Sequence, residues 1–292
     1  MEVEKFVLED GDFLECYWYN KAKYNSKKSI VILFHGLAGS FKSPYIQSTM
    51  SKLDQNGFSS VLMHFRGCSG VSNNLPRSYH SGDSADALAW IKNINSNYPN
   101  SKIFTVGYSL GGNMMLKLLG ELGENSLITA AISVSAPMQL DICAKQMNKG
   151  FSKFYQYILL KELNAAVEKK YNTFDMNSHI SLKREEIKNL TTFWKFDNAY
   201  TAPIHGFDSA QDYYTRCSSK QYLKKIKTPT LIIHSLDDPF MTSEVLPSDD
   251  EISKYINLEI SENGGHVGFI GGSFFKPEYW LEKRIVDYFT AF

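Results

Sequence analysis

The chain has 292 residues, 43% of them hydrophobic, and its 31 basic and 31 acidic side chains leave no net charge. That length suits one α/β domain with an insertion, and the charge balance gives no electrostatic footprint for nucleic acid or for an anionic surface. Four scattered cysteines (Cys16, Cys68, Cys143, Cys217) contain no Cys-x-x-Cys pair, so they read as reduced thiols and exclude a disulfide or zinc framework.

In chain order, residues 2–9 and 12–20 alternate apolar and polar around Asp10-Gly11-Asp12, which predicts an antiparallel hairpin at a sheet edge. Ser29-Ile30-Val31-Ile32-Leu33-Phe34 is a continuous apolar run, expected as a central strand buried on both faces. After His35-Gly36-Leu37, Ser43 and Pro44 mark the start of a helix that stops near Asn56-Gly57. A strand is expected over 59–64, a helix over 83–96, a strand over 103–106 with a helix behind it, and a strand over 128–135. This alternation predicts a mostly parallel sheet with helices on both faces.

The alternation fails from 138 to 223, where aromatic and aliphatic residues recur at helical spacing from Phe151 to Leu160. The expected division is a first core part (1–137), a helical cap (138–223) and a second core part (224–292). The cap is expected to cover Ser109 and to supply an acyl pocket, with Phe154 among its walls. Strands resume at 230–234 and near 257–260, and a helix over 277–292 closes the chain.

Gly107-Tyr108-Ser109-Leu110-Gly111 lies between a predicted strand and a predicted helix. Gly-x-Ser-x-Gly in that setting is the nucleophile elbow of an α/β-hydrolase, in which a strained turn lifts the serine hydroxyl clear of the chain. A serine needs a base, and the base an orienting acid, in the chain order Ser, Asp, His. His266, in Asn263-Gly264-Gly265-His266-Val267-Gly268, is the candidate base. Turn spacing in Ser235-Leu236-Asp237-Asp238-Pro239 favours Asp238 as the acid, with Asp237 as the alternative. Acyl transfer also needs two donors for the oxyanion. The N–H of Leu110, after the nucleophile, and that of Leu37, after the early central strand, hold those positions. His35, His64, His80, His179, His205 and His234 are weaker candidates for the base by position. No cluster has metal-ligand spacing and no loop matches a nucleotide-binding pattern, so neither metal nor cofactor is expected.

The chain resembles the AB hydrolase 4 family, and within it the bacterial YheT-like hydrolases. The resemblance rests on His35-Gly36-Leu37-x-Gly39-Ser40, Arg66-Gly67-Cys68-Ser69-Gly70, Tyr79-His80-Ser81-Gly82, the elbow through Asn113, Thr201-Ala202-Pro203-x-His205-Gly206-Phe207, Asp237-Asp238-Pro239-Phe240-Met241 and Gly264-Gly265-His266-x-Gly268-Phe269. It implies an α/β-hydrolase fold and a Ser–Asp–His hydrolase of carboxylic acyl esters. Relatives described as acyltransferases make acyl transfer to an alcohol the alternative on the same residues. A binding protein on a hydrolase fold would have lost a member of the triad. The substrate expected is a small acyl ester of short to medium chain. No signal peptide and no stretch of about 20 apolar residues is seen, so a cytoplasmic protein without a transmembrane segment is expected. Oligomeric state is not read from the sequence.

Overall fold

In the computed structural model, which describes residues 1–22, 27–273 and 276–292, the run Ile30–Phe34 forms β3 at the centre of an eight-stranded sheet. The strands are β1 (Glu2–Val7), β2 (Phe13–Tyr19), β3, β4 (Ser59–Met63), β5 (Ile103–Tyr108), β6 (Ala130–Val134), β7 (Thr230–Ser235) and β8 (Ile256–Ser261), in spatial order β1-β2-β4-β3-β5-β6-β7-β8. The edge hairpin β1–β2 and the β2–β4 pair are antiparallel, and every pair from β4 to β8 is parallel. Parallel strands covered on both faces carry unbroken apolar runs, because both side-chain directions are buried. Accordingly Ile30, Ile32 and Phe34 face one apolar cluster while Val31 and Leu33 face the other.

Helices cover each face. On the Ile30 side lie α2 (Ser84–Asn97) and α3 (Leu110–Leu122), through residues such as Trp90, Ile94 and Met114. On the Val31 side lie α1 (Pro44–Gln55), through Ile46, Met50 and Leu53, and the C-terminal helix, through Leu281, Ile285 and Phe289. Helix α1 begins at Pro44 as expected, but Ser43 does not cap it. Its hydroxyl accepts the N–H of Ser40 at 3.1 Å and so closes the preceding loop.

Between β6 and β7 the regular elements are all helical. They comprise α4 (Leu140–Gln146), α5 (Ser152–Thr173), α6 (Phe193–Phe196), a π-helical turn (Asp197–Thr201), α7 (Ala202–Ile204), α8 (Ala210–Cys217) and short 3-10 turns. This segment has a core of its own, with Leu160, Val167, Ile187, Phe196 and Tyr200 buried together. The cluster expected at the start of α5 divides at this point. Leu160 is buried, but Phe151, Phe154, Tyr155, Tyr157 and Ile158 are exposed. The 3.6-residue period turns Leu160, Leu163 and Val167 inward and the earlier aromatics outward. Lys170 of α5 reaches back to the β4–α2 loop. Its ammonium donates to Asn73 Oδ1 and, at 2.6 Å, to the carbonyl of Leu75.

The C-terminal helix expected from residue 277 begins only at Trp280, as α9 (Trp280–Thr290). Lys276–Tyr279 forms β10, which pairs antiparallel with β9 (Ile270–Ser273). Helical periodicity starts at Leu281 and repeats at Ile285 and Phe289, all of them buried, so the apolar stripe marks the true helix.

Candidate active site

The elbow is built by close approach of backbones. Ser109 adopts φ +50°, ψ −118°, a conformation rare for a residue with a side chain. A Cβ on Gly107 would lie 2.6 Å from the carbonyl oxygen of Gly111, and one on Gly111 would lie 2.5 Å from that of Phe34. Only glycine allows helix α3 to start this near the strands. The N–H of Ser109 donates to Val134 of β6 at 2.8 Å, which anchors the turn.

His266 Nε2 lies 2.9 Å from Ser109 Oγ, and His266 Nδ1 lies 2.8 Å from Asp238 Oδ2. A carboxylate oxygen accepts, so Nδ1 carries the proton and the Nε2 lone pair faces the serine. Asp238 is buried, and its Oδ1 accepts the N–H of Phe240 at 2.9 Å. Asp237 does not meet the imidazole. Its carboxylate accepts the N–H of Gly265 at 2.8 Å, which holds it below the usual carboxylate range. The ring of His266 packs against Phe240 at 4.3 Å between centroids.

The loop after β3 faces the same centre. A Cβ on Gly36 would lie 3.3 Å from the Cβ of Ser109. The N–H of Gly36 donates to Tyr45 Oη at 3.0 Å and that of Ala38 to Tyr79 Oη at 2.9 Å. Leu37 lies between these two anchored residues, and both Leu37 and Leu110 line the cavity that contains Ser109 and His266.

Comparison with known proteins adds the lineage. Residues 29–273 match the profile of the alpha/beta hydrolase fold. The chain is similar to the protein of Escherichia coli named "putative esterase YheT", 40% identical over 99% of this chain and 84% of that one. The chain is an alpha/beta hydrolase of the YheT-like group.

More distant relatives are of the esterase and lipase type. A monoacylglycerol lipase of Saccharomyces cerevisiae is 28% identical over 85% of this chain, which spans 56% of that protein's length. Among solved structures, a Pyrococcus furiosus esterase superposes with a TM-score of 0.62 at 16% identity, covering 100% of this chain and 92% of that one, and shares the fold.

In this hydrolase the cavity at Ser109 measures about 270 Å³ and is mostly apolar, with Cys143, Met147, Leu159, Leu163 and Phe193 among its walls. Phe154, expected as a wall, is instead 55% exposed to solvent on the outer side of α5. Among the described residues one carboxyl lines the cavity. Asp197, in the π-helical turn, accepts hydroxyl hydrogen bonds from Tyr214 at 2.6 Å and Thr201 at 2.7 Å, and burial pushes it up to about 6. Nothing in the sequence singled it out, because its burial depends on how the helical segment between β6 and β7 packs.

His35, His80 and His205 are engaged away from Ser109, and His179 is exposed. His35 Nε2 accepts the N–H of Phe65 at 3.1 Å, so its Nδ1 donates to the Gly36 carbonyl at 2.7 Å, and burial holds the ring down to about 3. His80 and His205 meet edge to face at 4.7 Å, and ligating atoms of His80, Asp83 and His205 lie within 4.8 Å of one another. Sequence spacing missed this group because its members converge from segments over a hundred residues apart. Its setting does not suit a cation. Lys117, Arg77 and Arg216 already set positive charge around His80, and Asp83 faces Arg77 at 3.4 Å. The motif residue Arg66 is also structural. It is held charged by Asp86, bound through two nitrogens at 2.6 and 2.7 Å, and by Asp10 and Asp12 of the edge hairpin. Asn113, one turn after the elbow, donates to the carbonyls of Ser81 and Cys217 and accepts from Ser219, fastening α3 to two loops.

Proposed function

We propose that the protein hydrolyses carboxylic esters of short- to medium-chain acyl groups through Ser109, His266 and Asp238. The observation that carries this reading is the continuous chain of hydrogen bonds from Asp238 through His266 to Ser109, at 2.8 and 2.9 Å. Nε2 takes the hydroxyl proton as Oγ attacks the ester carbonyl. The tetrahedral oxyanion is held by the N–H groups of Leu37 and Leu110. His266, now doubly protonated and stabilised by Asp238, gives its proton to the departing alcohol. A water deprotonated by the same nitrogen then attacks the acyl-enzyme, and the proton returns to Oγ.

The cavity supports the acyl-ester reading. A space of about 270 Å³ walled largely by apolar side chains suits an acyl chain.

The test is a pair of measurements on wild type and Ser109→Ala. A fluorophosphonate should label wild type at Ser109 and leave the variant unlabelled. Hydrolysis of p-nitrophenyl butyrate should fall by about 10⁴–10⁶ in kcat. Substantial turnover by the folded variant would remove Ser109 from the mechanism. Adding a primary alcohol separates the alternative, since an acyltransferase would form the new ester in preference to the free acid.

A further inference from the structure

The start of α5 is apolar on its solvent side. Phe151 is 70% exposed and Tyr157 65%, with Phe154, Tyr155 and Ile158 exposed beside them. Positions 151, 154 and 158 fall on one stripe of the helix, and the rings of Phe151, Phe154 and Tyr155 touch one another at 5.3 to 6.4 Å. The opposite side of the same helix is used as well, since Leu160 and Val167 are buried in the cap. A helix apolar on both sides needs a second apolar partner.

We propose that this stripe docks on the surface of an anionic lipid bilayer and brings the cavity of Ser109 against the membrane. Two further observations select that occupant. The first is charge. The whole chain is neutral, yet between Asp141, which pairs with Lys145 at 3.0 Å, and Glu162 the residues 149–161 contain Lys149, Lys153 and Lys161 and no acidic residue. Lys149, Lys153 and Lys161 are exposed around the apolar stripe. Aromatic and aliphatic side chains rimmed by lysines suit the interface of an anionic bilayer, where the rings enter the acyl boundary and the ammonium groups stay among the headgroups. A second copy of this chain docking face to face would set two lysine clusters against each other. Among the described residues no helix is long and apolar enough to cross a membrane, so contact of this kind is peripheral.

The second observation is continuity with the site. Tyr155 packs edge on against Phe240 at 5.0 Å, and Phe240 packs against His266 at 4.3 Å. The hydroxyl of Ser152 also donates to the carbonyl of Pro239, so the start of α5 is fixed to the loop that carries Asp238. Phe240 lines the cavity. The stripe therefore leads without interruption to the cavity wall, and an ester leaving the bilayer there would meet apolar surface throughout. That last step rests on the proposed role of Ser109 and His266; the docking itself does not.

The experiment is co-sedimentation of the full chain with vesicles of phosphatidylcholine alone and of phosphatidylcholine mixed with phosphatidylglycerol. Wild type should pellet with the mixed vesicles, at least tenfold more than with the neutral ones, and high salt should release it. The double variant Phe154→Ser/Tyr157→Ser should lose at least tenfold in bound fraction. Lys149→Glu/Lys153→Glu, which leaves the apolar stripe in place, should lose the preference for phosphatidylglycerol. Thermal melts establish that each variant is folded. Wild type that stays in the supernatant with both vesicles overturns the proposal, as does undiminished binding by both variants. Dimerisation abolished by the aromatic variant, without vesicle binding by wild type, would assign the stripe to a second copy. Because binding is read without turnover, a failed Ser109 assignment and a failed docking surface give different results.

Discussion

Asp237 accepts the N–H of Gly265 at 2.8 Å, one residue before the imidazole that Asp238 holds. Two consecutive carboxylates thus grip one loop, Asp237 by its backbone and Asp238 by its ring. Their surroundings differ accordingly, with Asp238 buried and Asp237 exposed. Asp238→Asn should lower kcat on p-nitrophenyl butyrate by about 10⁴, because an amide in that place favours the wrong tautomer of His266. Asp237→Ala removes one hydrogen bond at the surface and leaves the contact between Asp238 and His266 in place, so it should cost far less, about tenfold at most. Steady-state kinetics of both variants checks the assignment, and the reverse order of effects would make Asp237 the acid.

Acyl preference should follow Leu163 and Phe193, which line the cavity, and not Phe154, which lies outside it. Each methylene buried contributes about 0.8 kcal/mol, or roughly fourfold in kcat/KM. A series of p-nitrophenyl esters should therefore climb by that factor per carbon until the cavity is full. Leu163→Ala should move the maximum to longer chains and Leu163→Phe to shorter ones, with Phe154→Ala leaving the maximum where it was. A profile indifferent to Leu163 would show that the acyl chain lies elsewhere.

His35 should remain uncharged at mildly acidic pH. Burial holds its folded-state value at about 3, while the unfolded chain takes up the proton near the ordinary 6.5. Between those values the unfolded state binds more protons, so the contribution of His35 is complete above pH 6.5 and is lost as pH falls toward 3. By pH 5 this ring alone has cost about 2 kcal/mol. Nitrogen-15 NMR should show Nδ1 protonated and Nε2 bare from pH 8 down to pH 5, and a ring that charges within that range would contradict the burial argument.

The parts of the fold that could be read from the sequence are those where one local rule governs. The two-sided run Ile30–Phe34 could only be an interior strand, and Gly107 and Gly111 could only be explained by backbones in contact, as the 2.5 and 2.6 Å clearances bear out. The order of Ser109, the acidic pair and His266 was equally open to reading, since it follows the order of the strands. What stayed hidden depended on long-range packing. Tyr45 and Tyr79 anchor Gly36 and Ala38 from 9 and 41 residues away, and no local pattern marks a tyrosine for that duty. Phe154 and Leu163 belong to one helix and look alike as apolar residues, yet one faces solvent and the other the cavity. The hairpin of β9 and β10 displaced the first turn of an expected helix because Pro277 is as compatible with an extended edge as with a helix start.

The grip of Lys170 on the β4–α2 loop has a consequence for recombining this chain with its relatives. Asn73, which receives that ammonium, also donates to Asp12 at 2.6 Å, and Asp12 is in turn paired with Arg66. The amino-terminal hairpin, the Arg66 loop and α5 are therefore tied through one buried polar junction, in which removing a charged member leaves its partner unpaired. A chimera that exchanges the segment between β6 and β7 and brings no lysine at the place of Lys170 would leave Asn73 Oδ1 and the carbonyl of Leu75 without their donor. An exchange that keeps the junction intact has to carry Asp12, Arg66 and Asn73 together with the helix that bears Lys170.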